Sequence, residues 1–243
     1  MDHRIGGCFN KMKYFTKQWY EESAKMSIDW GFQYFLKIDE RANKFSEEFF
    51  QEIFSNQGPS DLRDSIEYWE ENLPKNILDK VADMRLLAMY IVSQEIYDAI
   101  IAYCIENDKW QEEIAMRYQD EIKGMVFPEW VEERAFHDCP IESCRWERSN
   151  IIMRLGANRF TDACEIIFEE AEIIEQEVVS LEGTLWLYDE VYEKGGKYEV
   201  HIMLLVGDYI NEGYRDKNEL AYTTITASNL IYIRDLDSVN TMY

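Results

Sequence analysis

The spacing of the apolar residues changes partway along the chain, and that change limits the fold more than any other feature. From Phe35 the apolar positions run Phe35, Ile38, Ala42, Phe45, Phe49 and Ile53, in steps of three and four that line one face of a helix. Past Phe127-Pro128 the step becomes two. Cys144 and Trp146 alternate with Arg145 and Glu147, Ile151, Met153 and Leu155 follow the turn Arg148-Ser149-Asn150, and Cys164, Ile166 and Phe168 continue on a third strand. A chain ordered in this way is α+β: an N-terminal helical unit followed by an antiparallel β-sheet or partly open barrel. The expected layout is a flexible extension over 1–11, a helical domain over 12–125, an antiparallel β domain over 126–235 and a frayed tail over 236–243.

Within the helical part, Asn56-Gln57-Gly58-Pro59 ends the first helix, and Ser60 can cap a second with Asp61 and Asp64 in its first turn. Pro74 marks another break. From Asn76 to Asn107 the chain is apolar around most of a helical circumference, with Gln94, Glu95 and Asp98 on one narrow side, so a single helix central to the core is expected. A further amphipathic stretch covers Lys109 to Lys123. In the β part, Glu169-Glu170 reads as a bulge or bend before Ile173, and a last strand starts near Leu220.

The sharpest local signal is Leu185 to Val206, where Gly195-Gly196 forms a two-residue hairpin loop that tolerates positive φ. A turn there pairs Val191 with Val200, Asp189 with Ile202 and Leu187 with Leu204 on one face. The other face pairs Glu190 with His201, Tyr188 with Met203 and Trp186 with Leu205.

Charge narrows the classes of partner. Forty-eight acidic against 25 basic residues give a formal net charge of −23. With no cluster of Lys or Arg, nucleic acid and anionic membrane surfaces are both disfavoured as partners. Basic proteins or cations fit such a chain electrostatically, and plain solvation is the simpler account of its acidity. The most apolar stretch, Leu86 to Ile105, carries Glu95 and Asp98 near its centre, each costing about 2.5–3.5 kcal/mol at mid-bilayer, so a buried helix is expected rather than a membrane span. No apolar leader follows Met1, and the 5 cysteines are odd in number and scattered, a pattern that suits a reducing cytoplasm better than a disulfide framework.

Motifs for established chemistries are sparse. Cys139 and Cys144 lie near His137, but no second Cys/His pair completes a zinc set, and the helical half has no histidine for a di-iron bundle. Phosphate-cradling glycine patterns and a nucleophile elbow are absent from the sequence, as is a calcium loop, and no cofactor is expected. Two constellations remain as weak catalytic candidates. His137-Asp138-Cys139 could bring an imidazole and a thiol to one side of an extended chain, or hold the backbone at the junction between halves. Glu190 and His201 are expected to face each other across the hairpin, sharing a surface with Trp186, Tyr188 and Tyr192. Ordinary sheet stabilisation is the simpler account of such a surface.

From Phe160 to Glu193 there are 11 acids and no Lys or Arg. Glu165, Glu169, Glu170, Glu172, Glu175 and Glu177 could build a local negative field there, and Glu169, Glu170, Glu172 and Glu175 could, with Trp186 and Tyr188, form a binding surface for a basic protein. That field is screened beyond about 8 Å at physiological salt.

Three stretches taken together resemble a known group of proteins: Met12-Lys13-Tyr14-Phe15-Thr16-Lys17-Gln18-Trp19-Tyr20, the pair His137-Asp138, and Trp186-Leu187-Tyr188-Asp189-Glu190 facing Gly196-Lys197-Tyr198-Glu199-Val200-His201. The chain is similar over roughly 12–235 to a family of uncharacterised bacterial cytoplasmic proteins, a domain of unknown function, that open with M-K-Y-F-T-K and carry H-D at mid-chain. The resemblance implies the two-part layout and no activity. Members of that family usually begin at the methionine corresponding to Met12, so Met1–Lys11 is either a non-native start or a short flexible extension. The expectation for function is a non-enzymatic accessory protein that engages a basic protein, with immunity against a toxin as one form. The alternatives are a hydrolase or small-ligand-binding protein using His137 and His201, and a structural protein without ligand.

Overall fold

The computed structural model describes residues 12–23, 59–133, 136–158, 161–207 and 219–234. The expected helix from Phe35 to Ile53, the extension 1–11 and the tail 236–243 lie outside the described residues. Packing divides the chain into two compact units, Met1–Trp19 with Met116–Tyr243, and Tyr20–Ala115. The division thus runs differently from a boundary at residue 125: the stretch 12–19 belongs with the sheet.

In the unit Tyr20–Ala115 the described helices are the last part of α1 (Lys17–Ser23), α2 (Pro59–Asn72), α3 (Lys75–Leu78), α4 (Met84–Ala88) and most of α5 (Gln94–Ile122). Trp69, Leu73, Ile77, Leu87, Ile96 and Ile100 form its core. The expected single helix from Asn76 to Asn107 is broken twice, for local reasons. Asp83 accepts the Arg85 N–H at 2.9 Å and caps a new start. Tyr90 then adopts φ +60, and Ile91 N–H donates back to the Leu86 carbonyl at 2.7 Å, a left-handed helix stop. Beyond it α5 runs unbroken for 29 residues and absorbs the stretch from Lys109. It buries the stripe Ile96, Ile100 and Cys104 while Glu95, Asp98 and Ile105 are exposed, so it is one-sided rather than apolar all round.

Among its described residues the other unit carries α6 (Glu129–Glu133) and eight strands: β1 Cys139–Glu147, β2 Asn150–Leu155, β3 Cys164–Glu169, β4 Glu172–Gln176, β5 Leu185–Lys194, β6 Lys197–Val206, β7 Glu219–Ala227 and β8 Asn229–Arg234. They form one sheet in the order β4-β7-β6-β5-β1-β2-β3-β8, antiparallel throughout and not closed. Two corners fold it. β1 pairs with β5 through Cys139 and Pro140, then shifts register between Ile141 and Ser143 and continues beside β2. On the other side, the expected bend is present at Glu170, with φ +47, between β3 and β4, and Ser228 marks the matching corner between β7 and β8. The expected single last strand from Leu220 is therefore two.

The alternation noted in the sequence explains the core. Met153, Leu155, Ile166 and Phe168 from one half and Ile202, Leu204 and Ile225 from the other belong to the same buried cluster. The β8 end of the sheet is covered by α6, where the Trp130 ring stacks on Tyr232 at 5.4 Å and its indole N–H donates to the Leu230 carbonyl at 3.4 Å. β4 ends the other side.

Gly195 and Gly196 have φ of +61 and +78, as the hairpin loop requires. The pairings Val191–Val200, Glu190–His201, Asp189–Ile202 and Tyr188–Met203 are observed. Beyond Tyr188 the register slips by one at Leu187, so Trp186 faces Leu204 and Leu185 faces Leu205. A one-residue slip reverses the side that follows it. Trp186 accordingly sits in the core, 2% exposed and edge-on to Phe136, and not on the surface with Glu190.

Candidate functional site

Glu190 is the most unusual side chain of the β unit. It lies mid-strand on β5 with no exposed surface, a position where a bare carboxylate would be costly. Its two oxygens are filled by the stretch 12–17. Oε1 accepts the backbone N–H groups of Tyr14 at 2.7 Å and Phe15 at 2.8 Å, and Oε2 accepts that of Lys13 at 2.9 Å. The Tyr192 hydroxyl donates to Oε2 at 2.7 Å. Three successive amides converging on one carboxylate make a backbone nest, in which fixed dipoles replace water. Burial, followed by this hydrogen bond to Glu190, pushes the Tyr192 phenol well above its usual range and keeps it a donor.

The rest of the stretch is seated around that bond. The Phe15 ring meets Tyr118 at 5.4 Å and Tyr188 at 5.9 Å, and Trp19 meets Tyr188 edge-on at 4.8 Å. Tyr118, near the end of α5, is itself tied to β5, its hydroxyl accepting the Val191 N–H at 2.8 Å. The Lys13 ammonium pairs with Glu121, which also accepts the Tyr14 hydroxyl at 2.5 Å. The Lys17 N–H donates to the Tyr222 hydroxyl at 2.5 Å, and its ammonium reaches Glu177 at 2.8 Å. Thr16 Oγ1 accepts the Trp19 N–H at 3.0 Å and caps α1. Sequence reasoning picked out both M-K-Y-F-T-K and Glu190 but did not join them. A Glu among aromatic residues in a central strand was the signal that it needs donors from elsewhere.

His201 faces Glu190 in register but its hydrogen bonds run the other way. The ring is 2% exposed, with Nε2 2.7 Å from Glu199 and Nδ1 3.2 Å from the Thr224 hydroxyl. Glu199 also accepts from Lys194 Nζ at 2.6 Å. Both ring nitrogens thus have protein partners, and the two members of the expected acid–base pair serve separate networks.

The His137-Asp138-Cys139 constellation comes apart. His137 is half-exposed, its Nδ1 2.9 Å from the Asp138 carboxylate and its ring edge-on to Tyr188 at 4.7 Å. Asp138 takes φ +65 at the turn into β1. Cys139 points into the core with no exposed surface, and burial pushes its thiol up to about 12. A thiol so held is not a nucleophile near neutral pH. The expected sharing of one side by His137 and Cys139 fails because Asp138 turns the chain instead of extending it.

The acids of the stretch 160–193 divide by engagement. Glu165 pairs with Arg145 at 3.4 Å, Glu177 with Lys17, and Glu169 accepts the Asn229 side-chain amide at 3.0 Å. Glu170 and Glu172 are exposed and Glu175 is half-buried, and among the described residues none of the three pairs with a cation.

A cleft of about 1210 Å³ opens elsewhere in the same unit, lined by Lys17, Glu142, Glu182, Val206 and Leu220 among others. Neither His137 nor His201 lines it. Among the described residues no group of three or more His, Cys, Asp or Glu side chains could hold a metal ion, and no helix is long and apolar enough to cross a membrane.

Comparisons with protein-family models, with curated proteins and with solved structures each find no match to this chain.

Proposed function

We propose that the protein is a non-enzymatic binding or accessory protein whose acidic β unit engages a basic protein partner, neutralisation of a toxin being one form of such a role. The observation that carries this reading is the set Glu170, Glu172 and Glu175. It lies at the β3–β4 corner and along a strand at the end of the sheet, without cationic partners among the described residues, in a chain of net charge −23. Free carboxylates grouped on one edge raise the encounter rate with a basic surface and disfavour acidic competitors. Glu165, Glu177 and Glu169 are instead engaged by Arg145, Lys17 and Asn229.

The test is capture of partners from a native lysate by the full chain and by E170Q/E172Q/E175Q, at low and at high salt. A stoichiometric basic partner that is retained at low salt, released at high salt and lost with the triple variant supports the reading. Undiminished capture by the variant removes these carboxylates from the account.

A further inference from the structure

The stretch 12–19 is held by the sheet as a bound peptide is held, although both belong to one chain. In sequence it is separated from the rest of its unit by residues 20–115. The anchoring contact is to its main chain: the Glu190 carboxylate takes the amides of Lys13, Tyr14 and Phe15 at 2.7–2.9 Å. Contacts of that kind give affinity without regard to side chain. Pockets at alternate positions then give specificity, as in other modes of peptide capture.

Three such side-chain positions are present. The Phe15 ring is enclosed by Tyr118 and Tyr188. Lys13 and Lys17 flank it at two residues on either side and reach Glu121 and Glu177 respectively, with the Lys17 ammonium also 4.8 Å above the Tyr222 ring. The face therefore combines a main-chain anchor, an aromatic slot and two carboxylates spaced for two cations. None of these groups belongs to the Glu170–Glu175 set.

We infer that the Glu190-bearing face of β5, β6 and β7 is a peptide-recognition groove, occupied in cis by residues 12–19, that takes in trans a basic segment of a partner protein with the pattern Lys-aromatic-Phe-x-Lys. A segment of the same chain competes intramolecularly with any ligand in trans. The trans ligand binds the intact chain weakly and binds well once the cis segment is loosened.

The experiment uses the full chain and a fluorescein-labelled peptide of the sequence Met12–Trp19. Lys13→Glu, Phe15→Ala and Lys17→Glu together loosen the cis segment without altering the groove. Fluorescence polarisation is expected to give saturable binding to that variant at least about tenfold tighter than to the wild-type chain. Adding Glu190→Gln to the variant is expected to weaken it again by at least about tenfold, as for loss of charge-assisted hydrogen bonds. Equal binding to wild type and variant overturns the inference, as does equal binding of a scrambled peptide of the same composition or indifference to Glu190→Gln.

Should the variant not fold, the wild-type chain decides. Amide exchange at Lys13, Tyr14 and Phe15 is expected to accelerate in excess peptide as the cis segment is displaced, and unchanged protection overturns the inference. A concentration-dependent dimer with exchanged 12–19 segments would replace the partner protein by a second copy and overturn the partner assignment.

Discussion

The carboxylate of Glu190 holds the backbone N–H of Phe15 at 2.8 Å across 175 positions of sequence. This contact, with those from Lys13 and Tyr14, closes the β unit around its own N-terminal stretch. Removing the carboxylate leaves several partly buried N–H groups without their acceptor. Glu190→Gln is expected to destabilise the β unit by about 3 kcal/mol, since an amide presents one NH₂ to donors that need an acceptor. Tyr192→Phe removes only the hydroxyl donor and is expected to cost about 1 kcal/mol. Denaturant midpoints for the two variants check the ranking, and a Glu190→Gln midpoint no lower than that of Tyr192→Phe would show that the three amides add nothing beyond the one hydroxyl.

Much of the layout is legible in the residues. The Gly195-Gly196 loop, the bend at Glu169-Glu170 and the inward alternation of Cys164, Ile166 and Phe168 appear where the pattern puts them, whereas Trp146, expected on the apolar side of its strand with Cys144, is exposed. What escapes is whatever depends on a single residue's departure from a regular period. Leu187 is apolar on either face, so nothing in its identity betrays the bulge that turns Trp186 inward. Tyr90 is an unlikely residue for a left-handed stop, and only the bond from Ile91 to Leu86 accounts for it. An acid on the alternate face of a strand ordinarily meets water, so Glu190 reads as exposed until its donors, far away in sequence, are found.

The inward turn of Trp186 leads to a prediction that separates the two faces of β5. Its side chain is 2% exposed, within the buried cluster shared by both halves of the sheet. Trp186→Ala is expected to cost about 3–5 kcal/mol, in the range for emptying a large aromatic site. The Glu190 network lies on the opposite face, so amide exchange at Lys13 to Phe15 is expected to slow or quicken only with global unfolding. Selective loss of protection at those amides would mean that Trp186 supports the groove directly.

Thiol reactivity offers a check on the core that needs no mutation. Cys139 and Cys164 have no exposed surface, and burial pushes their thiols up to about 12 and about 11. Cys144 is half-buried on β1, its thiol raised chiefly by burial and then by Glu182. Alkylation of the native chain at neutral pH, followed by peptide mapping, is expected to modify Cys144 before either of the other two. Early modification of Cys139 would return it to consideration as a nucleophile beside His137.

Acid stability tests the second buried network. Partial burial favours the neutral form of Glu199, but the hydrogen bonds from Lys194 at 2.6 Å and from His201 at 2.7 Å outweigh it and hold the carboxyl below its ordinary value of 4.5. A carboxyl lowered in the folded state binds its proton more readily in the unfolded chain. Its contribution to stability is therefore complete above the unfolded value and is lost as pH falls through the folded one. Glu199→Gln is expected to lower the urea midpoint at pH 7, and the gap from wild type is expected to narrow as the pH is taken below the usual glutamate range. Thr224→Val, which removes the other partner of the imidazole, serves as the control. It is expected to leave the acidic limb of the Glu199 difference in place. A gap that stays constant down to pH 3 would mean that Glu199 gains nothing from its two donors in the folded chain.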